Sequence, residues 1–334
     1  MRSPRRRVSL AATAGVAATL LAAGCSSSGS SPTSGSSGSA SASPSSTALE
    51  EAHIVVGALP VIDEAPLYLA QKNGYFTQAG LNVTIDPVTQ STQALPDMLH
   101  GTVDVVGANY TSFFEAQAKG EVQLKVISEA TNCRANTFGI AALPSSGITK
   151  PADLAGKTIA VNLTNNIQTL TTNAILKADG VNPSKVTYVV IPFPDMISAL
   201  TSHKVDAISV VQPFLAGALA SGAKTVMSSC DGPVANIPIS GWFATQAWTQ
   251  KNPNTARAFQ QALLKGQAYA SANPAAVKSI LPSYIKVTAQ AASAVTLGTF
   301  PSTLDPAQLQ RVLTLMSSGG LPTTSLSAST LFFH

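Results

Sequence analysis

Charge is the scarcest resource of this 334-residue chain: Asp, Glu, Lys and Arg together make up 11% of it. Aromatic residues account for 6%, and there are three cysteines and four histidines. Each shortage excludes something. Without a basic stripe and interleaved aromatics, nothing is there to track a phosphate backbone or stack bases, so no nucleic-acid partner is expected. The formal net charge of +4 does not argue otherwise. Arg2, Arg5, Arg6 and Arg7 lie in a segment without acids, and taking these four from +4 leaves zero. Of the histidines, His100 and His203 fall at expected helix ends, where a solvated imidazole is ordinary. The part expected to fold has no HExxH, GxSxG or GxGxxG and no Cys/His ligand set. Catalysis, a metal and a cofactor are therefore not expected.

One apolar run stands out, at residues 8–21. It is shorter than the about 20 residues that cross a bilayer. A basic segment, residues 1–7, precedes it, and Ala22, Ala23 and Gly24 follow. This is the layout of a secretory signal over residues 1–24. Leu21-Ala22-Ala23-Gly24-Cys25 resembles a bacterial lipobox, with Ala22 where Leu is commoner. The resemblance implies a diacylglycerol on Cys25; the alternative is an ordinary signal cut nearby. Residues 26–47 are almost all Ser, Gly, Ala, Pro and Thr, a composition that buries nothing. Residues 25–52 are thus expected to be a flexible tether between a membrane anchor and a folded body.

From His53 onward short apolar runs alternate with amphipathic stretches. Strands are expected at 54–58, 81–85, 103–108, 124–128, 158–161, 186–191, 205–211, 225–227 and 241–246. Helices are expected between most of them, with Asp63-Glu64-Ala65-Pro66 as one start signal. Such alternation implies parallel sheets covered on both faces, here in two similar runs. His100-Gly101-Thr102-Val103-Asp104 and His203-Lys204-Val205-Asp206 echo each other: each leaves a helix and enters a strand through Val-Asp. Beyond Pro253 only helices are expected, packed on the first lobe.

Four blocks in order carry a resemblance. Ala65-Pro66-Leu67-Tyr68-Leu69-Ala70, Asn73-Gly74-Tyr75-Phe76 and Ala79-Gly80-Leu81-Asn82-Val83 make the first. Gly101-Thr102-Val103-Asp104-Val105-Val106-Gly107 makes the second. Pro151-Ala152-Asp153-Leu154-Ala155-Gly156-Lys157-Thr158-Ile159-Ala160-Val161 makes the third, and Val205-Asp206-Ala207 with Gln212-Pro213-Phe214 the fourth. Together they resemble the aliphatic-sulfonate, taurine and nitrate binding proteins and the thiamine-pyrimidine-precursor binding proteins. The resemblance implies an α/β fold of two Rossmann-like lobes joined by two crossing strands, a type II periplasmic binding protein with C-terminal helices. Lobe I is expected over residues 53–140 and 242–334, and lobe II over 141–241. The crossings are expected near 138–143 and 239–246. Because crossings run side by side, Cys133 and Cys230 are expected to pair; two buried thiols are the other reading.

The resemblance also implies a ligand in the interlobe cleft, and open parallel sheets place ligands at the C-terminal ends of their strands. The loops there hold the candidate ligand-binding residues. Asp63 and Glu64 either accept from a ligand or complement a helix dipole. Ser91, Thr92 and Gln93 either bind or cap. Asn109 and Tyr110 end the next strand, where turn chemistry is the other explanation of the Asn. In the second lobe Asn162, Thr164, Asn165 and Asn166 hold more polar groups than one cap needs. Gln212 and Phe214 follow a later strand, with Phe214 either stacking on a ligand or filling core. Trp242 reads as core at the hinge, with a ligand platform as the other reading. These loops lack Lys and Arg, so a neutral or zwitterionic molecule fits at least as well as an anion. The expected role is a monomeric, lipid-anchored, extracytoplasmic solute-binding protein working with the permease and ATPase of an ABC importer. A sensor on the same fold is the alternative, and a pyrimidine-synthase-like enzyme lacks its cysteine-rich motif here.

Overall fold

Two five-stranded sheets organise the computed structural model, which describes residues 48–334. The signal, Cys25 and most of the expected tether lie outside the described residues. Residues 48–52, expected to end that tether, are packed instead. Glu51 Oε1 accepts from Trp248 Nε1 (2.7 Å) and Asn252 Nδ2 (2.9 Å), and the Glu50 carboxylate accepts from Thr255 N (2.9 Å).

The first sheet holds β1 (His53–Ala58), β2 (Asn82–Pro87), β3 (Val105–Asn109), β4 (Leu124–Asn132) and a late strand, β10 (Pro238–Thr245). Its order is β2-β1-β3-β10-β4. The second holds β5 (Phe138–Ala142), β6 (Thr158–Val161), β7 (Thr187–Val190), β8 (Ala207–Val211) and β9 (Lys224–Ser228), in the order β7-β6-β8-β5-β9. Both orders follow one pattern, and in both the fourth position is antiparallel to its neighbours. This corrects the expectation of parallel sheets. The reason is the path of the chain. β4 and β9 each end at the edge facing the other sheet. The strand made just after crossing, β5 or β10, therefore starts at that edge and runs against its new neighbours.

The crossings also lie elsewhere than expected. β5 and β10 each belong wholly to one sheet. The chain changes sheets just before them, through residues 133–137 and 229–237. Cys133 and Cys230 sit in these two links and form a disulfide, with Cα atoms 5.3 Å apart.

The sequence echo has a structural counterpart. Gly101 (φ 74) and His203 (φ 56) both take the left-handed conformation that turns the chain out of a helix. Asp104 Oδ2 then accepts from Val55 N, and Asp206 Oδ2 from Thr158 N, both at 2.8 Å. The same carboxylate clamp joins β1 to β3 in the first sheet and β6 to β8 in the second.

Side chains alternate across β10, so Trp242 and Phe243, both fully buried, enter different cores. On the Trp242 side the helix Pro253–Ala272 packs against the helix Ala65–Lys72. Gly266 permits the approach: a Cβ there would strike the Pro66 carbonyl and come within 2.8 Å of Ala70 Cβ. The helix Pro306–Ser318 touches both Tyr110–Ala118 and Ile167–Ala178, helices that flank different sheets. Arg311 secures it to the second crossing, donating to Ala235 O (2.6 Å) and Asn236 O (3.3 Å). Pro96 stands in the first turn of Leu95–His100 after a separate 3-10 turn. Its missing N–H costs nothing there. No helix among the described residues is long and apolar enough to cross a membrane.

Candidate functional site

The carboxyl ends of β1, β3, β6 and β8 converge on a cavity of about 60 Å³ between the sheets. The loop after β1 contributes Leu59, Val61, Asp63 and Glu64, and the end of β3 contributes Gly107, Ala108 and Asn109. From the second sheet come Asn162, Asn166, Ile167, Gln168, Phe193 and Val211. Ser91, Ile239 and Ser240 complete the wall.

Its electrostatics are one-sided. Glu64 is buried, and its Oε2 has no hydrogen-bond partner. The carboxyl lies over Gly107, where a Cβ would come within 2.5 Å of both oxygens, so any other residue there would have to push the carboxyl aside. Burial raises the Glu64 pKa well above the ordinary carboxyl range, and the neighbouring Asp63 pushes it further; the Leu59 N–H works weakly against them. Burial raises Asp63 as well, opposed first by hydroxyl donation from Ser240 (2.6 Å) and then by its own backbone N–H. Tyr284 donates to Val61 O (3.1 Å) and stacks on Tyr68 with ring centroids 3.9 Å apart. Both phenols are raised by burial and by Glu64. Among the described residues, no Lys, Arg or His lines the cavity. No group of three or more metal-ligating side chains occurs among the described residues.

Glu129 stands behind this wall on β4. Its Oε1 accepts from Asp305 N (2.7 Å), while Oε2 has no partner. Burial first, then the charge of Asp305, pushes its pKa to about 7. A carboxyl raised on folding favours the protonated native state. Its stabilising effect is complete below about pH 4.5 and is lost as pH rises to about 7. The measured stability should therefore slope downward across this window. Glu129→Gln, neutral throughout, should flatten that slope in urea unfolding series; an unchanged slope would remove Glu129 as its source.

The expected site residues divide. Asp63, Glu64, Ser91, Asn109, Asn162 and Asn166 line the cavity. Two of these spend their acceptors on the chain itself. Asn109 Oδ1 caps a helix through Ser112 N (2.9 Å), and Asn166 Oδ1 accepts from Gln168 N (3.0 Å) and Thr169 N (3.2 Å). Asn162 joins the sheets instead: its carbonyl accepts from Gln90 Nε2 (2.8 Å), and its Nδ2 donates to Thr89 O (3.3 Å).

The other expected residues lie off the cavity. Tyr110 turns into the core against Phe114 and Phe243, its hydroxyl unpartnered. Asn165 Nδ2 donates across the cleft to Glu115 Oε1 (3.3 Å), which also meets Lys119 (2.8 Å). Thr92 and Thr164 line a separate groove of about 490 Å³. Gln93 Oε1 accepts from the Thr89 hydroxyl (2.9 Å). Gln212 bonds to Asn136 O (3.1 Å) and Ala216 N (3.3 Å). Phe214 stacks behind Phe193 at 5.4 Å.

Sequence reasoning missed Gln168, Ser240 and Phe193. Gln168 is the second-lobe keystone: Oε1 accepts from Asn162 N and Asn166 Nδ2, both 2.7 Å, and Nε2 donates to Ser209 O. A polar residue in the first turn after a polar loop is a signal that would have found it. Ser240 faces Asn109 only through the register of β10 on β3, which no local pattern reveals.

Solved structures share this arrangement. The alkanesulfonate-binding protein SsuA of Xanthomonas axonopodis pv. citri, bound to MOPS, superposes with a TM-score of 0.73 at 16% identity, covering 85% of this chain and 99% of that one. The periplasmic nitrate-binding protein NrtA of Synechocystis PCC 6803 gives 0.71 at 14% identity, covering 85% and 86%. Among curated proteins, YtlA of Bacillus subtilis (strain 168), which bears the name of a binding protein, is 22% identical over 209 residues. That match spans 61% of this chain and 62% of the relative's length. The family described as NMT1/THI5 like matches residues 62–277, well over half of the chain, and the protein belongs to that family.

Proposed function

We propose that this protein is an extracytoplasmic solute-binding protein, held at the membrane by a lipid on Cys25, that captures a small organic molecule and delivers it to an ABC importer. It acts as a monomer with the importer's permease and ATPase. One observation carries the reading: a largely apolar cavity with polar groups on both walls, Asp63 and Glu64 on one and Asn162 and Gln168 on the other, lies between the strand ends of two sheets that the backbone joins through two short links. Two sheets so joined can swing apart and admit a ligand. The bonds of Gln90 with Asn162 and of Asn165 with Glu115 span the cleft and form only when it is closed. A ligand that touches both walls favours that state, because only there are both sets of contacts made. The named ligands of the structural relatives, an alkanesulfonate and nitrate, support capture of a small solute.

Fractionation followed by native mass spectrometry tests this. Wild-type protein is expected in the membrane fraction, carrying a bound small molecule. The Cys25→Ser chain is expected in the soluble fraction with the same molecule bound. A wild-type chain that is wholly soluble defeats the anchor. Protein that neither retains nor binds any small solute defeats the binding role.

A further inference from the structure

We infer that the cleft selects a small organic cation with N–H donors, an ammonium or amidinium head on a short apolar body, over any oxyanion. The inference rests on the cleft reading above and names the chemistry of its ligand. Glu64 supplies the first argument. It is 2% exposed, lines the cavity and has an oxygen with no donor. A buried carboxyl oxygen without a donor is costly, and an N–H⁺ group placed against it supplies both the bond and the charge. Asp63 adds a second carboxyl beside it, and no lining residue offers a positive charge to balance either.

The second argument concerns where an anion would sit. Helix N-termini bind anions through free backbone N–H groups. Here several of the N–H groups around the cavity are already engaged. Asn109 Oδ1 holds Ser112 N, Asn166 Oδ1 holds Gln168 N and Thr169 N, and Gln168 Oε1 holds Asn162 N. An oxyanion would meet two carboxyls and occupied donors. The remaining wall, with Val61, Phe193, Val211 and Ile239, is apolar and suits a carbon body.

Binding of such a ligand is linked to protons. The titratable groups facing Glu64 are Asp63 from its own segment, Tyr68 from the following helix and Tyr284 from the C-terminal region. Burial and mutual repulsion favour the protonated carboxyl in the empty cleft. A cation requires the ionised form, so each binding event releases protons to solvent and tightens as pH rises.

The test is calorimetry on the purified protein at pH 6 and pH 8, with phenethylammonium and benzamidinium as cations and ethanesulfonate and nitrate as anions. Cation binding is expected to be tighter at pH 8, with proton release seen as a dependence of the heat on buffer ionisation. Glu64→Gln should weaken it at least tenfold and remove the pH dependence. Asp63→Asn repeats the test if Glu64→Gln does not fold. Tighter binding of an anion, or no binding of either cation, overturns the inference. An anion captured in the cleft leaves the solute-binding reading intact; only a protein that takes no small solute of any kind defeats both.

Discussion

Replacing Cys133 and Cys230 together by Ser is expected to lower the unfolding free energy by about 2–4 kcal/mol. The two residues are 97 apart in sequence. A cross-link closing a loop of about 100 residues removes up to about 4.7 kcal/mol of entropy from the unfolded chain in the simplest model. Both cysteines are buried, so the double variant also leaves small polar groups where sulfur packed. The location adds a second consequence. The bond staples the two links, residues 133–137 and 229–237, through which the described backbone passes from one sheet to the other, so its loss should loosen the hinge as well as the fold. Equilibrium denaturation of oxidised wild type and the double variant measures the effect. A difference below about 1 kcal/mol would show that the unfolded chain gains little freedom from the missing link.

Phe243→Ala should cost about 3–5 kcal/mol, the range for deleting a buried aromatic from a tight core. Phe243 is fully buried on β10, with the rings of Phe113, Tyr110 and Phe114 at centroid distances of 4.8, 5.6 and 5.8 Å. This ring cluster fastens the returning strand to the helix Tyr110–Ala118, so a cavity there weakens the closure of the first sheet. Leu99→Ser is the comparison: Leu99 is 59% exposed, and its replacement should change stability by less than about 0.5 kcal/mol. Similar losses in the two variants would mean that the cluster is not where the first core is tightest.

Much of the architecture was legible before any coordinates. The helix Ile167–Ala178 fills one of the stretches between strands where a helix was expected, because Asn166 caps its first turn and Gly180 follows its last. β1, β3, β6 and β8 appear where apolar runs predicted them, within one or two residues. The paired Val-Asp motifs proved to be a repeated clamp. Each of these signals is complete within a few residues, since periodicity, capping and left-handed turns act over one or two helical turns.

Other features were decided only in three dimensions. Nothing local distinguishes a strand that joins its neighbours in parallel from one that arrives across a crossing, so β5 and β10 read as ordinary members of parallel sheets. Tyr110 follows Asn109 directly, yet one faces the core and the other the cleft, because a helix start turns successive side chains through about 100°. Asn165 and Asn166 part as well, one to the opposite lobe and one to its own helix cap, because the backbone turns left-handed at Asn165 (φ 49) before the helix begins. The Ser240 hydroxyl reaches Asp63 across 177 residues of sequence, and the space over Gly107 is filled by Glu64 from a different loop. The sequence by itself determined the alternation of elements, the two-lobed class and the loops from which a site would be built. The tertiary structure alone decided which side chains of those loops meet, because that depends on strand order and register between distant segments, which a single periodic pattern does not encode.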